Sequence, residues 1–188
     1  MYPVVRLAKE FIRHRNAAPL SLTGEHRSTH LCWPWDIDPF LELNNGRILT
    51  LNDLGRFLLF RRIGVIGIMR QRGWVGTIAG VSVRYRRRLR MFDRYELRSR
   101  IVCWDERFVY CEQSAWARGE CTSHVLLRMA LTSAEGIVPT RILAEALEVD
   151  PAGPPCPDWI AAWIEADARR PWPPMQDSAP VEALAKAG

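Results

Sequence analysis

The strongest pattern in this chain of 188 residues is the segment 35–47, Trp35-Asp36-Ile37-Asp38-Pro39-Phe40-Leu41-Glu42-Leu43-Asn44-Asn45-Gly46-Arg47. Alternate residues of an extended chain point to the same side, so Asp36 and Asp38 are expected to flank one site. Asn44 and Asn45 precede a segment of helical periodicity and predict a helix N-cap. The free amides of such a helix end can polarise an electron-rich oxygen. A carboxylate beside these amides supplies the chemical parts that acyl transfer requires.

The segments after this motif indicate one buried helix followed by strands. Residues 48–72 place apolar side chains all around a helix, and Gly64 and Gly67 are its candidate breaks. A first strand is predicted at 26–37. Later strand-like segments joined by short turns predict an antiparallel meander; they are 74–89, 95–104, 108–117 and 121–133. Segment 95–104 alternates, with Tyr95, Leu97, Ser99, Ile101 and Cys103 on one side of the strand.

The same residues carry a resemblance to a known family. Residues 36–45 resemble the motif D-x-D-x-x-G-H-[MV]-N-N of hotdog-fold acyl-CoA thioesterases, which include 4-hydroxybenzoyl-CoA thioesterase-like and thioesterase superfamily member-like proteins. The match departs at Leu41, where the family has Gly, and at Glu42, where it has His. Further matches follow in order and extend the resemblance over roughly residues 27–148; they are Asp53-Leu54-Gly55-Arg56, Val83 to Leu89, Trp104-Asp105 and Tyr110-Cys111-Glu112-Gln113.

The resemblance implies an α+β hotdog fold, in which a curved antiparallel sheet of about five strands wraps a long central helix. We expect helical extensions at both ends. The expected domains are an N-terminal amphipathic helix and loop at 1–25, the hotdog domain at 26–150, a C-terminal helix at 151–170 and a disordered tail at 171–188. The resemblance also implies a homodimer with active sites between subunits, and a tetramer is a further possibility.

The activity implied by the resemblance is acyl-CoA thioester hydrolysis with no metal or organic cofactor. Asp38 would act as base or nucleophile, and amides near Asn45 and Gly46 would form the oxyanion site. Asn44 would order the loop and the substrate. Glu42 would take part of the base role, unless its replacement of His marks a loss of activity.

Two more acids are assigned structural roles at the site. Asp36 is expected to bond to the backbone around the motif, and Asp53 lies further along the helix, where it either faces the site or packs. From composition alone, Asp38 would be read as a turn-forming residue before Pro39. The whole ordered series of matches favours catalysis instead. Phe57, Phe60 and Trp74 are expected to set the depth of the acyl pocket.

The run of arginines from Arg84 to Arg90 has three interpretations. Alternation would put Arg84, Arg86, Arg88 and Arg90 on one strand face, where they could clamp the phosphates of coenzyme A. A solvated strand face ranks second. Nucleic-acid binding ranks a distant third, because interleaved aromatic residues and a recognisable module are lacking.

Two classes of function remain open. The first is the thioesterase, with acyl-CoA or an acyl-carrier protein as substrate. The second is a non-catalytic hotdog protein that binds the same molecules, favoured by Leu41 and Glu42.

Composition sets the remaining expectations. The net charge is +5, hydrophobic residues make up 48%, and five cysteines lack a C-x-x-C pair. No apolar run reaches the roughly 18 residues of a membrane span, and no signal peptide is recognised. These features predict a cytoplasmic protein with reduced cysteines. The amphipathic segment 4–15 is expected to pack its apolar face on its own domain in preference to a membrane surface.

Overall fold

The computed structural model describes residues 2–175, which form two compact units, Met1–Pro155 and the unit that begins at Cys156. The predicted disordered tail lies outside the described residues from position 176 onward. The helices are α1 (Val4–Arg13), α2 (Asn45–Arg62), α3 (Val65–Arg72), α4 (Thr140–Ala146) and, in the second unit, α5 (Asp158–Ala168). The strands are β1 (His26–Leu31), β2 (Val75–Tyr85), β3 (Arg94–Trp104), β4 (Val109–Ala117), β5 (Glu120–Ser133) and β6 (Gly136–Val138).

One antiparallel sheet forms the frame of the first unit. Its strand order is β1-β3-β4-β5-β2, and the short β6 also pairs with β5. The sheet curls around α2, so the predicted hotdog fold is confirmed. The order places β1 and β2 at opposite edges of the sheet.

The central helix packs closely on the sheet because a glycine lies at the contact. A Cβ atom on Gly55 would lie 2.7 Å from Leu97 Cδ2 and from Ser99 Oγ. The predicted break after the helix is confirmed at Gly64, which has the left-handed φ of 84° and separates α2 from α3. Gly67, the other candidate break, lies inside α3.

Strand β3 has the alternation that its sequence predicts. Every second residue is buried against the helix, namely Tyr95, Leu97, Ser99, Ile101 and Cys103. Strand β2 is shorter than expected, because the extended segment ends at Tyr85 instead of Leu89.

The orientation of α1 contradicts the sequence-based expectation. Val4, Val5 and Ile12 are 63%, 83% and 64% exposed, whereas Glu10 is 3% exposed. Leu7 packs against the core as expected, but Val4, Val5 and Ile12 point outward, whereas Glu10 points into the domain. The reason is a pair of non-local hydrogen bonds: Arg6 donates to the buried Asp36 carboxylate and to Leu31 O, which fixes this side of the helix inward.

A cluster of buried histidines lies beneath α1 on strand β1. His26 is fully buried and its ring contacts that of His14, with 5.1 Å between centroids. His30 is 7% exposed and its Nε2 lies 2.7 Å from Ser28 Oγ. Burial, aided by nearby cationic groups, lowers the pKa of His26 to about 4 and the pKa of His30 to about 3.

These histidines predict a loss of stability in mild acid. In the unfolded chain each imidazole takes up a proton near its ordinary pKa of 6.5, whereas in the folded chain both stay neutral until about pH 4 and about pH 3. The unfolded state then binds more protons, so the free energy of unfolding should fall as the pH drops below about 6.5. Urea unfolding at about pH 7 and about pH 5 measures this slope. His30→Gln should reduce the slope, and an unchanged slope in that variant would contradict the assignment.

Candidate active site

The motif loop is a small hairpin that leads into the central helix. Ile37 pairs with Leu43 in an isolated β-bridge. Within the bridge, Asp38 N donates to Glu42 O at 2.9 Å, and Leu41 N donates to Asp38 O at 3.0 Å. Asp38 and Glu42 therefore stand together at the base of the loop tip.

Asp36 is held inside the protein by two arginines. Its side chain is fully buried, and it accepts from Arg6 Nη1 at 2.6 Å and from Arg47 Nε at 2.8 Å. The backbone N of Trp33 also donates to it, at 3.1 Å. Asp36 ends a short 3-10 turn, Pro34–Asp36, so the chain is not extended here. The expectation that Asp36 and Asp38 flank one site from the same side was therefore wrong.

Asp38 has a partly exposed carboxylate. Oδ1 accepts from the backbone N of Phe40 at 2.9 Å, which closes a local turn. The described residues supply no hydrogen-bond or ion-pair partner to Oδ2. One carboxylate oxygen thus fixes the orientation of the side chain and the other is available to solvent or substrate.

The N-terminus of α2 begins directly after this loop. Asn44 is the N-cap, and its Oδ1 accepts from Arg47 N at 3.0 Å. Asn45 and Gly46 are the first two helical residues and are exposed. Their amides find no acceptor among residues 2–175, which is the usual state of the first amides of a helix.

The end of strand β2 and the residues that follow it contact the motif loop and the start of α2. Tyr85 OH donates to Asn45 O at 3.2 Å, and Leu43 N donates to Leu89 O at 2.7 Å. Arg88 Nε lies 2.9 Å from Glu42 Oε2. Glu42, at the position where the resembling family has His, is therefore engaged by a cation.

The arginine run is less regular than alternation predicts. The strand ends at Tyr85, and Arg86 and Arg87 both donate their backbone N to Thr122 O. Arg88 is paired with Glu42. Arg84 and Arg86 are exposed, and their side chains have no hydrogen-bond or ion-pair partner in the described part of the chain.

Asp53 lies two turns into α2, about 12 Å from Asn45 along the helix axis. Tyr2 OH donates to its Oδ2 at 2.9 Å, and Arg56 forms a short ion pair with its Oδ1. Arg56 also donates to Gln113 Oε1 at 3.0 Å. Asp53 therefore belongs to a polar network on the flank of the helix and does not reach the motif loop.

An apolar cavity of about 340 Å³ lies at the other end of α2. Phe57 and Phe60 line it as expected, but Trp74 does not. The first half of β2 supplies Val75 and Ile78. Arg56 is the one charged residue among its described lining residues. Phe57 is about 18 Å along the helix from Asn45, so the cavity and the motif loop do not meet within one chain.

The sequence predicted a pocket at Phe57 and Phe60, but neither its lining by β2 nor the contact of Tyr85 with Asn45. Tyr85 was noticed only as part of an arginine-rich strand, and Val75 and Ile78 were noticed only as strand residues. Their roles depend on tertiary placement, which no local pattern encodes.

Within residues 2–175, no group of three or more His, Cys, Asp or Glu side chains is arranged to hold a metal ion. None of the described helices combines the length and apolarity needed to cross a bilayer.

Comparison with known proteins gives one family. The model of the thioesterase-like superfamily matches residues 32–164. The Xenopus laevis protein THEM6 is 32% identical over 145 residues, which are 77% of this chain and 69% of that protein.

Solved structures share the fold. YbaW from Escherichia coli has a TM-score of 0.61 at 15% identity, covering 65% of this chain and 96% of that one. A thioesterase from Thermus thermophilus, solved with coenzyme A and Zn, has a TM-score of 0.54 at 22% identity, covering 61% and 89%. At these identities the likeness establishes the fold alone.

The departure at Leu41 has a measurable consequence. Leu41 has a φ of 62° and is 76% exposed. A left-handed conformation destabilises a residue that has a Cβ by about 1–2 kcal/mol, and Gly removes this strain. Gly also loses more conformational freedom on folding, which offsets about 0.5–1 kcal/mol of the gain. Leu41→Gly should therefore raise the free energy of unfolding by about 0.5–1 kcal/mol, measured by urea denaturation.

The neighbouring Phe40 provides the matched control. It is 78% exposed and is not among the residues with positive φ. Phe40→Gly should be destabilising by about 0.5–1 kcal/mol. Equal effects of the two substitutions would contradict backbone strain at Leu41.

Proposed function

Because this chain belongs to the thioesterase-like superfamily, we propose that it hydrolyses an acyl thioester of coenzyme A or of an acyl-carrier protein. The observation that carries the proposal is the Asp38 carboxylate on the hairpin that leads directly into α2, whose first two amides, Asn45 and Gly46, have no acceptor among the described residues. Its Oδ1 is fixed by Phe40 N at 2.9 Å, and its Oδ2 is left for a proton or a carbonyl carbon. Such a carboxylate is oriented without being neutralised.

The proposed reaction uses Asp38 as a general base. Asp38 removes a proton from a water molecule, whose oxygen attacks the thioester carbonyl carbon. The carbonyl oxygen gains negative charge, and the amides of Asn45 and Gly46 stabilise it. The C–S bond then breaks, and the thiolate takes the proton back from Asp38. Direct attack by Asp38 on the carbonyl, followed by hydrolysis of the anhydride, is the alternative route.

The cations around the loop suit the rest of the substrate. Arg84 and Arg86 are exposed and carry no partner in residues 2–175, so they can bind the phosphates of coenzyme A. Arg88 holds Glu42 at 2.9 Å, which keeps this second carboxylate from competing for the substrate carbonyl carbon. In this proposal Glu42 stabilises the loop conformation, and Asp38 removes the proton from the attacking water.

A homodimer would complete the site. Strand β2 is an edge strand of 11 residues, and Val75, Ile78 and Val81 on it are 62%, 43% and 38% exposed. A long edge with exposed apolar residues favours pairing with another strand. Antiparallel pairing about a two-fold axis near the middle of β2 would set Tyr85 of one chain near the partner's Val75.

This pairing explains why the cavity and Asp38 lie apart in one chain. Tyr85 contacts Asn45 at the start of α2, and Val75 lines the cavity. The two-fold axis would therefore bring the motif loop of one subunit to the apolar cavity of its partner. In this arrangement the cavity accepts the acyl chain while Asp38 from the other subunit acts at the thioester.

The first test is thiol release from short, medium, long and aromatic acyl-CoAs. Asp38→Asn keeps the size of the side chain but removes the base, so kcat should fall by about 100-fold or more. Acyl-CoA binding, measured by calorimetry, should persist. Asp150→Asn is the matched control, because Asp150 Oδ1 likewise accepts from the backbone N two residues along, that of Ala152, at 2.9 Å; this variant should retain turnover.

Other outcomes of this test are informative. Turnover that survives in Asp38→Asn but is lost in Glu42→Gln would move the chemistry to Glu42. A folded wild-type chain that binds acyl-CoA and releases no thiol from any substrate would overturn the enzyme proposal. It would favour a binding protein, the function suggested by the engaged Glu42.

The acyl cavity predicts a change in chain-length preference. Ile66 lines the cavity and is partly buried, so Ile66→Trp should shorten it. We expect kcat/KM for long acyl chains to fall about 10-fold or more relative to short chains. Gln71→Trp adds the same ring to an exposed site on α3 outside the lining and should leave the ratio unchanged. An equal loss for all chain lengths would contradict this placement of the acyl chain.

A further inference from the structure

Helix α1 is fixed to the domain by its polar side. Arg6 Nη1 donates to Asp36 Oδ2 at 2.6 Å, and Arg6 Nη2 donates to Leu31 O at 2.8 Å. Glu10 is 3% exposed and lies 3.5 Å from His14 Nδ1. Toward α2, Arg61 Nη1 donates to the backbone O of Phe11 at 3.0 Å. These contacts set the rotation of the helix about its own axis.

The opposite side is an apolar face, which we define as Val4, Val5, Ala8 and Ile12. At 3.6 residues per turn these four positions fall within an arc of about 100°. All four are exposed, with Val4, Val5 and Ile12 at 63%, 83% and 64%. A surface helix normally buries such an arc, and here the arc is the part that the domain leaves uncovered.

Cations border this face on one flank. Lys9 and Arg13 follow the apolar arc on the helical wheel, within about 80° of its edge. Both are exposed, and no ion-pair partner for either is present among residues 2–175. The exposed surface of α1 therefore combines aliphatic side chains with uncompensated positive charge.

The position of α1 in the fold keeps this face open. Its contacts run to β1, through Leu31 and His26, and to α2. β1 and β2 are opposite edges of the sheet. Pairing of two copies along β2 would therefore leave the α1 face uncovered.

We propose that the apolar face of α1 binds the surface of an anionic lipid bilayer. The aliphatic side chains enter the boundary between headgroups and acyl chains, while Lys9 and Arg13 contact headgroup phosphates. This proposal does not depend on the thioesterase activity.

Charge favours lipid over a second copy of the chain as the occupant. An antiparallel two-fold contact between two α1 faces would bring the same cationic flank of each helix together, and like charges would repel. An anionic bilayer supplies both an apolar phase and negative charge. A helix of only 10 residues buries little area, so binding should be reversible, dependent on anionic lipid and weakened by salt.

Co-sedimentation of the full chain with vesicles tests the proposal. We expect binding to phosphatidylcholine vesicles that contain about 30% phosphatidylglycerol, and little binding to phosphatidylcholine alone. The double variant Val5→Asn/Ile12→Asn should lower the partition coefficient about 10-fold or more, because it removes two aliphatic side chains that would be buried in the bilayer. Lys9→Glu/Arg13→Glu should abolish the preference for anionic vesicles.

The matched control changes exposed apolar residues elsewhere. Met91 and Phe92 are 49% and 57% exposed on the loop before β3, and Met91→Asn/Phe92→Asn should bind vesicles as the wild type does. Equal partition of the wild type and the α1 double variant, or no preference for anionic lipid, would overturn the proposal. Sedimentation velocity without lipid gives the other decisive result: if Val5→Asn/Ile12→Asn dissociates an oligomer, a second copy covers this face.

Discussion

The buried Asp36 carboxylate is the constraint that joins the parts of this protein. It accepts from Arg6 of α1, from Arg47 of α2 and from the backbone of the loop at Trp33. A fully buried charge is tolerated only when it is paired and hydrogen-bonded. Satisfying Asp36 therefore fixes three segments at once: the rotation of α1, the start of the motif loop and the N-terminus of α2. The loop tip with Asp38 and the outward apolar face of α1 both follow from that one requirement.

Helix α2 separates the two ends of the candidate site. Its first residues directly follow the motif loop, and its later residues Phe57 and Phe60 line the apolar cavity. One chain thus has a polar end at the motif loop and an apolar end at the cavity, about 18 Å apart along the helix. The exposed edge strand β2 runs antiparallel to α2. Antiparallel pairing of two β2 strands would therefore bring the motif loop of one chain close to the cavity of the other. The proposed function and the proposed dimer therefore depend on the same strand.

Much of the fold could be predicted from local patterns. The burial of alternate residues in β3 and the break at Gly64 depend on short-range periodicity and backbone conformation, and both were predicted. The outward face of α1 could not be predicted, because its rotation is set by Arg6 bonding to the distant Asp36 and Leu31. The separation of Asp36 from Asp38 depends on a single 3-10 turn, which alternation does not reveal. The cavity requires the relative placement of helix and edge strand, so its lining was only partly anticipated through Phe57 and Phe60.

The strand order also bears on how the chain folds. β3, β4 and β5 pair across short turns, with Trp104 opposite Val109 and Ala117 opposite Glu120. By contrast, β2 joins β5 with Val75 opposite Thr132, and β1 joins β3 with His26 opposite Ser99. Closing long loops costs more chain entropy and is slower, so the meander is expected to form the nucleus and both edges to dock afterwards. The motif loop follows one late edge and the cavity is lined by the other, which means that the whole candidate site is assembled only in the last stage of folding.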